Sequence, residues 1–174
     1  IVFKDIKSFF EIGGGFGANV HFLIQNYNNI KKIVYLDLPV NLYIATQYLK
    51  MFYNDSVIDY LSIKNDKIEF SKDNNLEIIC IPPWKITDLK TKIDLFQNSN
   101  SFVEMPKNVV LNYCNQIKKN IHSNSKITLS SYGKFNPNTT FDPKTLNEYF
   151  DCDFDINILP SMVPNQENVF LISK

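Results

Sequence analysis

Arginine is absent from this chain; all eighteen basic residues are lysine. The planar fork that grips a phosphate or a guanine edge in bidentate fashion is therefore not available. Eighteen acidic residues bring the formal net charge to zero, and no lysine run exceeds two. A nucleic-acid surface is not expected from such scattered charge. Cysteine is scarce. Cys80, Cys114 and Cys152 are isolated and odd in number, which argues against a disulfide framework and for a reducing, cytoplasmic setting. With two histidines in 174 residues, no His, Cys, Asp and Glu set has metal-ligand spacing, so no metal is expected. No apolar stretch approaches the roughly 20 residues of a membrane span, so no membrane partner is expected either. Glycine is also rare, five in the whole chain, and four of the five lie between positions 13 and 17.

Those glycines close the run Phe9-Phe10-Glu11-Ile12-Gly13-Gly14-Gly15-Phe16-Gly17. An apolar run ending in a carboxylate, then glycines at alternate positions, reads as a buried strand entering a turn. The turn needs positive φ or close approach of the backbone to a ligand, and a helix follows from about Phe16. A second strand-like run, 32–36, ends in Asp37, twenty residues beyond Gly17. In a βαβ unit the two strands are parallel neighbours, so the glycine turn and Asp37 emerge together at one sheet edge. A carboxylate there can take both hydroxyls of a ribose while the turn passes beneath the rest of a nucleoside. The pattern points to an adenosine-containing cofactor.

Strand and helix patterns then alternate. Helical spacing covers 16–26, 39–53 (with Pro39 suited to the first turn) and 106–120. Strand patterns cover 77–81, 93–97, 126–132, 153–159 and 168–173, with a short strand or hairpin expected at 67–70. Residues 83–92 are too few for a long crossover helix and read as a loop or single turn. A short helix is expected from 142 or 143 to 150. The brief gap before 168–173 allows a hairpin, which makes the last strand antiparallel. The expected fold is α/β: a Rossmann-like, doubly wound, seven-stranded, mostly parallel sheet with an antiparallel last strand. With 44% hydrophobic residues, residues 1–174 suit a single domain with a real core. The chain opens at Ile1 on the approach to its first strand, as expected of the C-terminal part of a longer protein.

This pattern resembles the class I S-adenosylmethionine-dependent methyltransferases. Their first motif, apolar-apolar-acidic-apolar-Gly-x-Gly-x-Gly, is matched by residues 9–17, and their acidic residue after the second strand by Asp37. Gly13-Gly14-Gly15 with Asp37-Leu38-Pro39 is similar to small-molecule O-methyltransferases. The segment 94–106 looks most like the bacterial sugar O-methyltransferases among them. The resemblance implies S-adenosyl-L-methionine as cofactor and a small hydroxylated acceptor, a sugar or glycoconjugate. A competing dinucleotide fingerprint, Gly13-x-Gly15-x-x-Ala18, would imply a nicotinamide-dependent oxidoreductase. Glu11 argues against it, because a carboxylate beside a pyrophosphate is repulsive, whereas it suits the cationic amino-acid end of the methyl donor. A non-catalytic nucleoside-binding domain of the same fold is the third reading.

By that resemblance, Glu11 and the turn residues Gly13, Gly14, Gly15, Phe16 and Gly17 line the methionine part. Asp37 grips the ribose, Leu38 lies against the adenine, and Pro83 and Trp84 supply its other face. Asn98 sits where the methyl group is presented, and Ser99, Asn100 and Ser101 form a donor and acceptor set for a hydroxylated substrate. Plain structural readings stand beside these. Glu11 and Asp37 can cap the next helix, Trp84 can close the edge of the core, and residues 98–101 can satisfy their own turn. Plant-type O-methyltransferases place a catalytic His just past this strand; here 102–105 reads Phe-Val-Glu-Met. Glu104 is the nearest group able to accept a proton. Its alternative is a carboxylate at a helix start ahead of Pro106. His21 and His122 read as surface or satisfied histidines.

Overall fold

The computed structural model describes residues 1–64, 67–132, 145, 148–150, 154–160 and 166–173. The elements run β1 (Ser8–Ile12), α1 (Ala18–Asn26), β2 (Lys32–Leu36), α2 (Pro39–Tyr53), β3 (Val57–Ile58) and β4 (Glu77–Ile81). They continue with β5 (Ile93–Ser99), α3 (Lys107–Asn120), β6 (Ile121–Tyr132), β7 (Asp155–Pro160) and β8 (Gln166–Ser173). One eight-stranded sheet holds every strand of the described residues, in the order β3-β4-β2-β1-β5-β6-β8-β7. All neighbours from β3 to β6 pair in parallel, and β8 runs antiparallel to both β6 and β7. This is the Rossmann-like, doubly wound architecture that the alternating pattern predicts.

The sheet has one strand more than the seven expected. The addition is the two-residue edge strand β3, which pairs with Ile78 and Ile79. Of the segment 67–70 only Ile68 pairs, in a single bridge to Leu89. The 83–92 link holds a short 3-10 turn, Pro83–Asp88, and β5 reaches two residues past the expected end, to Ser99. Of the short helix expected near 142–150, most positions lie outside the described residues.

Burial on both faces explains the continuous apolar runs, since successive side chains in a strand point to opposite sides. Phe10, Ile12, Val34, Leu36, Ile79 and Phe96 pack with Val110, Tyr113, Cys114 and Ile117 of α3. Phe9, Ile33, Tyr35, Ile78 and Leu95 pack on the other face with Val20 and Leu23 of α1 and with Leu42, Ala45 and Leu49 of α2. Each fully buried Phe of β1 contributes roughly 1.5–3 kcal/mol relative to exposure. The two helices that follow β1 and β2 therefore cover one face, and α3 covers the other.

Local chemistry sets the element ends. Gly17 caps α1 in the left-handed region, at φ 87°. Leu38, preceding Pro39, is held extended and α2 starts at once. At the amino ends of the strands, Asp94 Oδ2 accepts from the backbone N–H of Lys7 and Ser8, at 2.7 and 2.9 Å. Its Oδ1 lies 2.8 Å from His122 Nε2. These bonds tie β1 to β5 and β6 at the end of the sheet away from the glycine turn. His21 packs among the rings of Tyr48, Phe52 and Tyr53, while its buried Nδ1 has no hydrogen-bond partner among the described residues. Among the described residues no helix is long and apolar enough to cross a membrane.

Candidate functional site

A cavity of about 330 Å³ opens at the carboxyl ends of β1, β2, β4 and β5, where ligands bind in open parallel sheets. Its floor is Ile12 and Leu36, the last residues of β1 and β2, with Gly13 and Gly15 of the turn. One rim is Asp37, Leu38 and Asn41; Pro83 stands at another. Ser101, Glu104 and Met105 beyond β5 face them, and Val109 and Tyr113 of α3 form the back wall. The volume lies within the range of small-molecule sites, and the surface is mostly apolar with a few polar groups.

The three alternate glycines of the turn have separate causes. Gly13, at φ +73°, has its N–H on the Leu36 carbonyl (2.9 Å), and a Cβ there would collide with the Ser101 side chain. Gly15, at φ +66°, has nothing within 4 Å of its Cβ position, which opens onto the cavity. Gly17 brings the start of α1 against Ala45 and Leu49 of α2. Gly14 has no positive φ, yet a Cβ there would sit 2.5 Å from the Glu11 carboxyl carbon and 2.8 Å from the Tyr35 ring. It is glycine because two large side chains lie directly under it.

Asp37 is buried and bound to the turn. Its Oδ2 accepts the Gly15 N–H at 3.0 Å and its Oδ1 accepts the Leu38 N–H at 2.7 Å. Glu11 lies on the opposite face of β1 from Ile12, in the α1–α2 layer beneath the turn, and is not part of the cavity wall. Its Oε1 accepts from Asn19 Nδ2 at 2.9 Å, while Oε2 has no partner among the described residues. Burial pushes its pKa up to about 7, against the lowering by the Asn19 bond; the charge of Asp37 adds to the rise. The side chain expected beside the ligand thus lies behind the turn and outside the cavity wall.

Asn98 is also buried. Still within β5, its Nδ2 donates to the Ile12 carbonyl (2.9 Å) and its Oδ1 accepts the Phe102 N–H (3.1 Å). It joins the end of β1 to the loop that follows β5. Asn100 takes a positive φ of 64° and its N–H bonds the Ser130 carbonyl at 2.9 Å. Of the run 98–101, only Ser101 reaches the cavity. Glu104 ends a 3-10 turn, Phe102–Glu104, and is exposed at the cavity edge; α3 begins after Pro106 without a side-chain cap.

Not every candidate converges. Gly13, Gly15, Asp37, Leu38, Pro83, Ser101 and Glu104 meet in the cavity. Gly14, Gly17 and Asn98 support it from behind. Phe16 is about half exposed and meets Tyr48 edge-on. Trp84 is 67% exposed and Ser99 bonds Gln97, all three outside the wall. Sequence reasoning missed Asn41, Met105, Val109 and Tyr113. The two helix positions in α3 were legible only as apolar periodicity, which does not say whether a residue meets the sheet or a cavity.

No family model and no curated protein matches this chain. Solved structures do. The mitomycin 7-O-methyltransferase MmcR superposes with a TM-score of 0.70 at 10% identity, over 100% of this chain and 50% of that one. The pyocyanin biosynthetic protein PhzM gives 0.67 at 11%, over 100% and 52%. Human N-acetylserotonin methyltransferase, solved with S-adenosylmethionine, gives 0.66 at 13%, over 100% and 49%. The fold is that of the Rossmann-like methyltransferases. The chain spans about half the length of these structures.

Proposed function

We propose that the chain binds S-adenosyl-L-methionine and catalyses methyl transfer to an oxygen of a small hydroxylated molecule, a sugar or glycoconjugate. One observation carries the reading: the left-handed Gly15, open on its Cβ side, stands against a buried Asp37 at the mouth of a cavity of nucleoside size. A side chain at position 15 would fill the space a ligand needs. Asp37 accepts the ribose hydroxyls, and Leu38 and Pro83 bracket the adenine across the cavity. Glu11, with its unpartnered Oε2 under the turn, sets a carboxyl behind the cationic end of the ligand, whose positive charge favours the ionised form.

When bound, S-adenosylmethionine would supply an electrophilic methyl group on a sulfonium, open to in-line attack by the acceptor oxygen with the neutral thioether as leaving group. The positive charge is lost as the methyl moves, so the chain has little new charge to stabilise and acts mainly by holding the reactants in line. Glu104, at the cavity edge with its carboxylate free of hydrogen bonds to the described residues, receives the proton of the acceptor hydroxyl. Ser101 offers a hydroxyl beside it.

Calorimetry with S-adenosylhomocysteine and with NAD tests the cofactor. Micromolar binding of NAD with none of S-adenosylhomocysteine would reverse the assignment. Asp37→Ala is expected to weaken S-adenosylhomocysteine by about 2 kcal/mol, as both ribose hydroxyls lose a charged acceptor. An acceptor screen over sugars and phenols tests the substrate. With a true acceptor, Glu104→Gln should lower turnover roughly 100-fold; intact turnover would remove Glu104 from the chemistry.

A further inference from the structure

Glu11 of β1 and Tyr35 of β2 are register partners. Both point away from the cavity, into the α1–α2 layer. Tyr35 is wholly buried, and its ring packs under Gly14. Its hydroxyl lies 2.5 Å from the Gly15 carbonyl and 2.9 Å from Asp37 Oδ2. The Gly15 N–H in turn donates to the same Asp37 Oδ2 at 3.0 Å. Gly15 is therefore held at both its N–H and its carbonyl, through one phenol and one carboxylate, in a closed ring of contacts. A phenol has one proton, and two acceptors flank this one.

We propose that Tyr35 is a positioning residue for the ribose, setting the distance between the glycine turn and Asp37 and sharing its single proton between Asp37 Oδ2 and the Gly15 carbonyl. The inference rests on the nucleoside reading of the cavity. Donation to Gly15 leaves the lone pair of Oδ2 that the Gly15 N–H does not use for a ribose hydroxyl; donation to Asp37 holds the carboxylate against the turn. A hydroxyl hydrogen swings between such acceptors by rotation alone, so Asp37 can accept a diol with no shift of the backbone. Tyr35 touches no ligand in this account. Its action passes through Asp37 and the Gly15 peptide, and a phenylalanine at 35 would keep the packing while releasing both.

The test is a double-mutant cycle read by calorimetry on the full chain, with S-adenosylhomocysteine and its 2′,3′-dideoxy analogue. Tyr35→Phe is expected to weaken S-adenosylhomocysteine about tenfold. It should leave the analogue without the diol within about twofold of wild type, and add no loss in an Asp37→Ala background. Unchanged S-adenosylhomocysteine affinity, an equal loss for both ligands, or a loss that adds to that of Asp37→Ala would overturn the role of Tyr35 with the cofactor reading intact. Failure of the wild-type chain to bind S-adenosylhomocysteine is a different result and removes both. Should Tyr35→Phe not melt cooperatively, 3-fluorotyrosine placed at position 35 keeps the hydroxyl. Its fluorine resonance should move with S-adenosylhomocysteine and stay with the dideoxy analogue, and equal movement with both would refute the proposal.

Discussion

Gly14 and Gly15 are adjacent in sequence and should fail differently when each becomes alanine. At Gly14 the backbone does not take a positive φ, so the effect is set by the steric contacts. The new methyl would lie 2.5 Å from Glu11 Cδ and Oε2 and 2.8 Å from Tyr35 Cε2. Neither neighbour is a flexible surface chain: Glu11 is 2% exposed and Tyr35 fully buried. Overpacking of that kind sits near the upper end of its usual range, about 3 kcal/mol, or roughly 6–12 °C in Tm for a chain of this length. At Gly15 the methyl would meet no protein atom within 4 Å, and only the left-handed φ of +66° is penalised. That strain costs about 1–2 kcal/mol, so Gly15→Ala should melt closer to wild type than Gly14→Ala does. Ligand binding inverts the order of harm for Gly15. Its methyl enters the cavity, and S-adenosylhomocysteine should weaken by about tenfold to a hundredfold at a temperature where the variant is folded. Thermal melts and a titration of the two variants suffice. Wild-type affinity in Gly15→Ala would mean that the open side of the turn does not face the ligand, and a wild-type melt in Gly14→Ala would mean that Glu11 and Tyr35 do not pack beneath it.

Two further outcomes follow from the buried polar groups. The Glu11 carboxyl holds its proton more tightly folded, with a pKa of about 7, than unfolded, at 4.5; its stabilising contribution is complete below about pH 4.5 and is lost as pH rises through 7. The span is about 3 kcal/mol, so denaturant melts should find Glu11→Gln more stable than wild type at pH 8, with the gap closing towards pH 4.5; a gap that is constant with pH would refute the shift. Asn98→Ala removes the partner of the Phe102 N–H and leaves the Ile12 carbonyl with only the longer 3.4 Å bond from Ser101 Oγ, and should lower stability by about 2–4 kcal/mol, with Asn98→Asp failing to restore it because a carboxylate cannot donate to Ile12. Stability equal to wild type in Asn98→Ala would show that the loop after β5 does not depend on this residue.

The fold was legible because it is built from two-sided burial. Phe9 to Ile12, Ile33 to Leu36 and Ile78 to Ile81 are continuous apolar runs or nearly so, and only a sheet covered on both faces asks for that. The helices between them carry a 3.6-residue pattern long enough to read. Val57 and Ile58 were not legible as an edge strand, since two residues carry no period, and their place is fixed only by pairing with Ile78 and Ile79 of β4. The pattern at 67–70 looked more strand-like than either, yet it delivers one bridge, because Leu89 offers the only stretch of backbone it pairs with among the described residues.

In the site, the glycine turn and Asp37 were readable for a reason local to the chain: alternate glycines are needed where backbone must approach something, and a carboxylate at the end of the neighbouring strand comes to the same edge. The side of the sheet on which the cavity opens is not a local property. Strand alternation places Glu11 with Phe9 and Ile12 with Phe10, but which layer leaves room for a ligand depends on where α3 docks. Val109 and Tyr113 decide that from about a hundred residues away. So the sequence-level assignment put Glu11 in contact with the ligand on the strength of its place in a motif, while the packing puts it one layer behind, beside Tyr35. That layer is where the physical constraints concentrate: a carboxyl with one oxygen unpartnered, a phenol with one proton for two acceptors, and a glycine that exists to let both lie under the turn. A motif names the residues that meet at a turn; the register of two strands and the covering of their two faces determine which of them meet the ligand and which hold the turn in place.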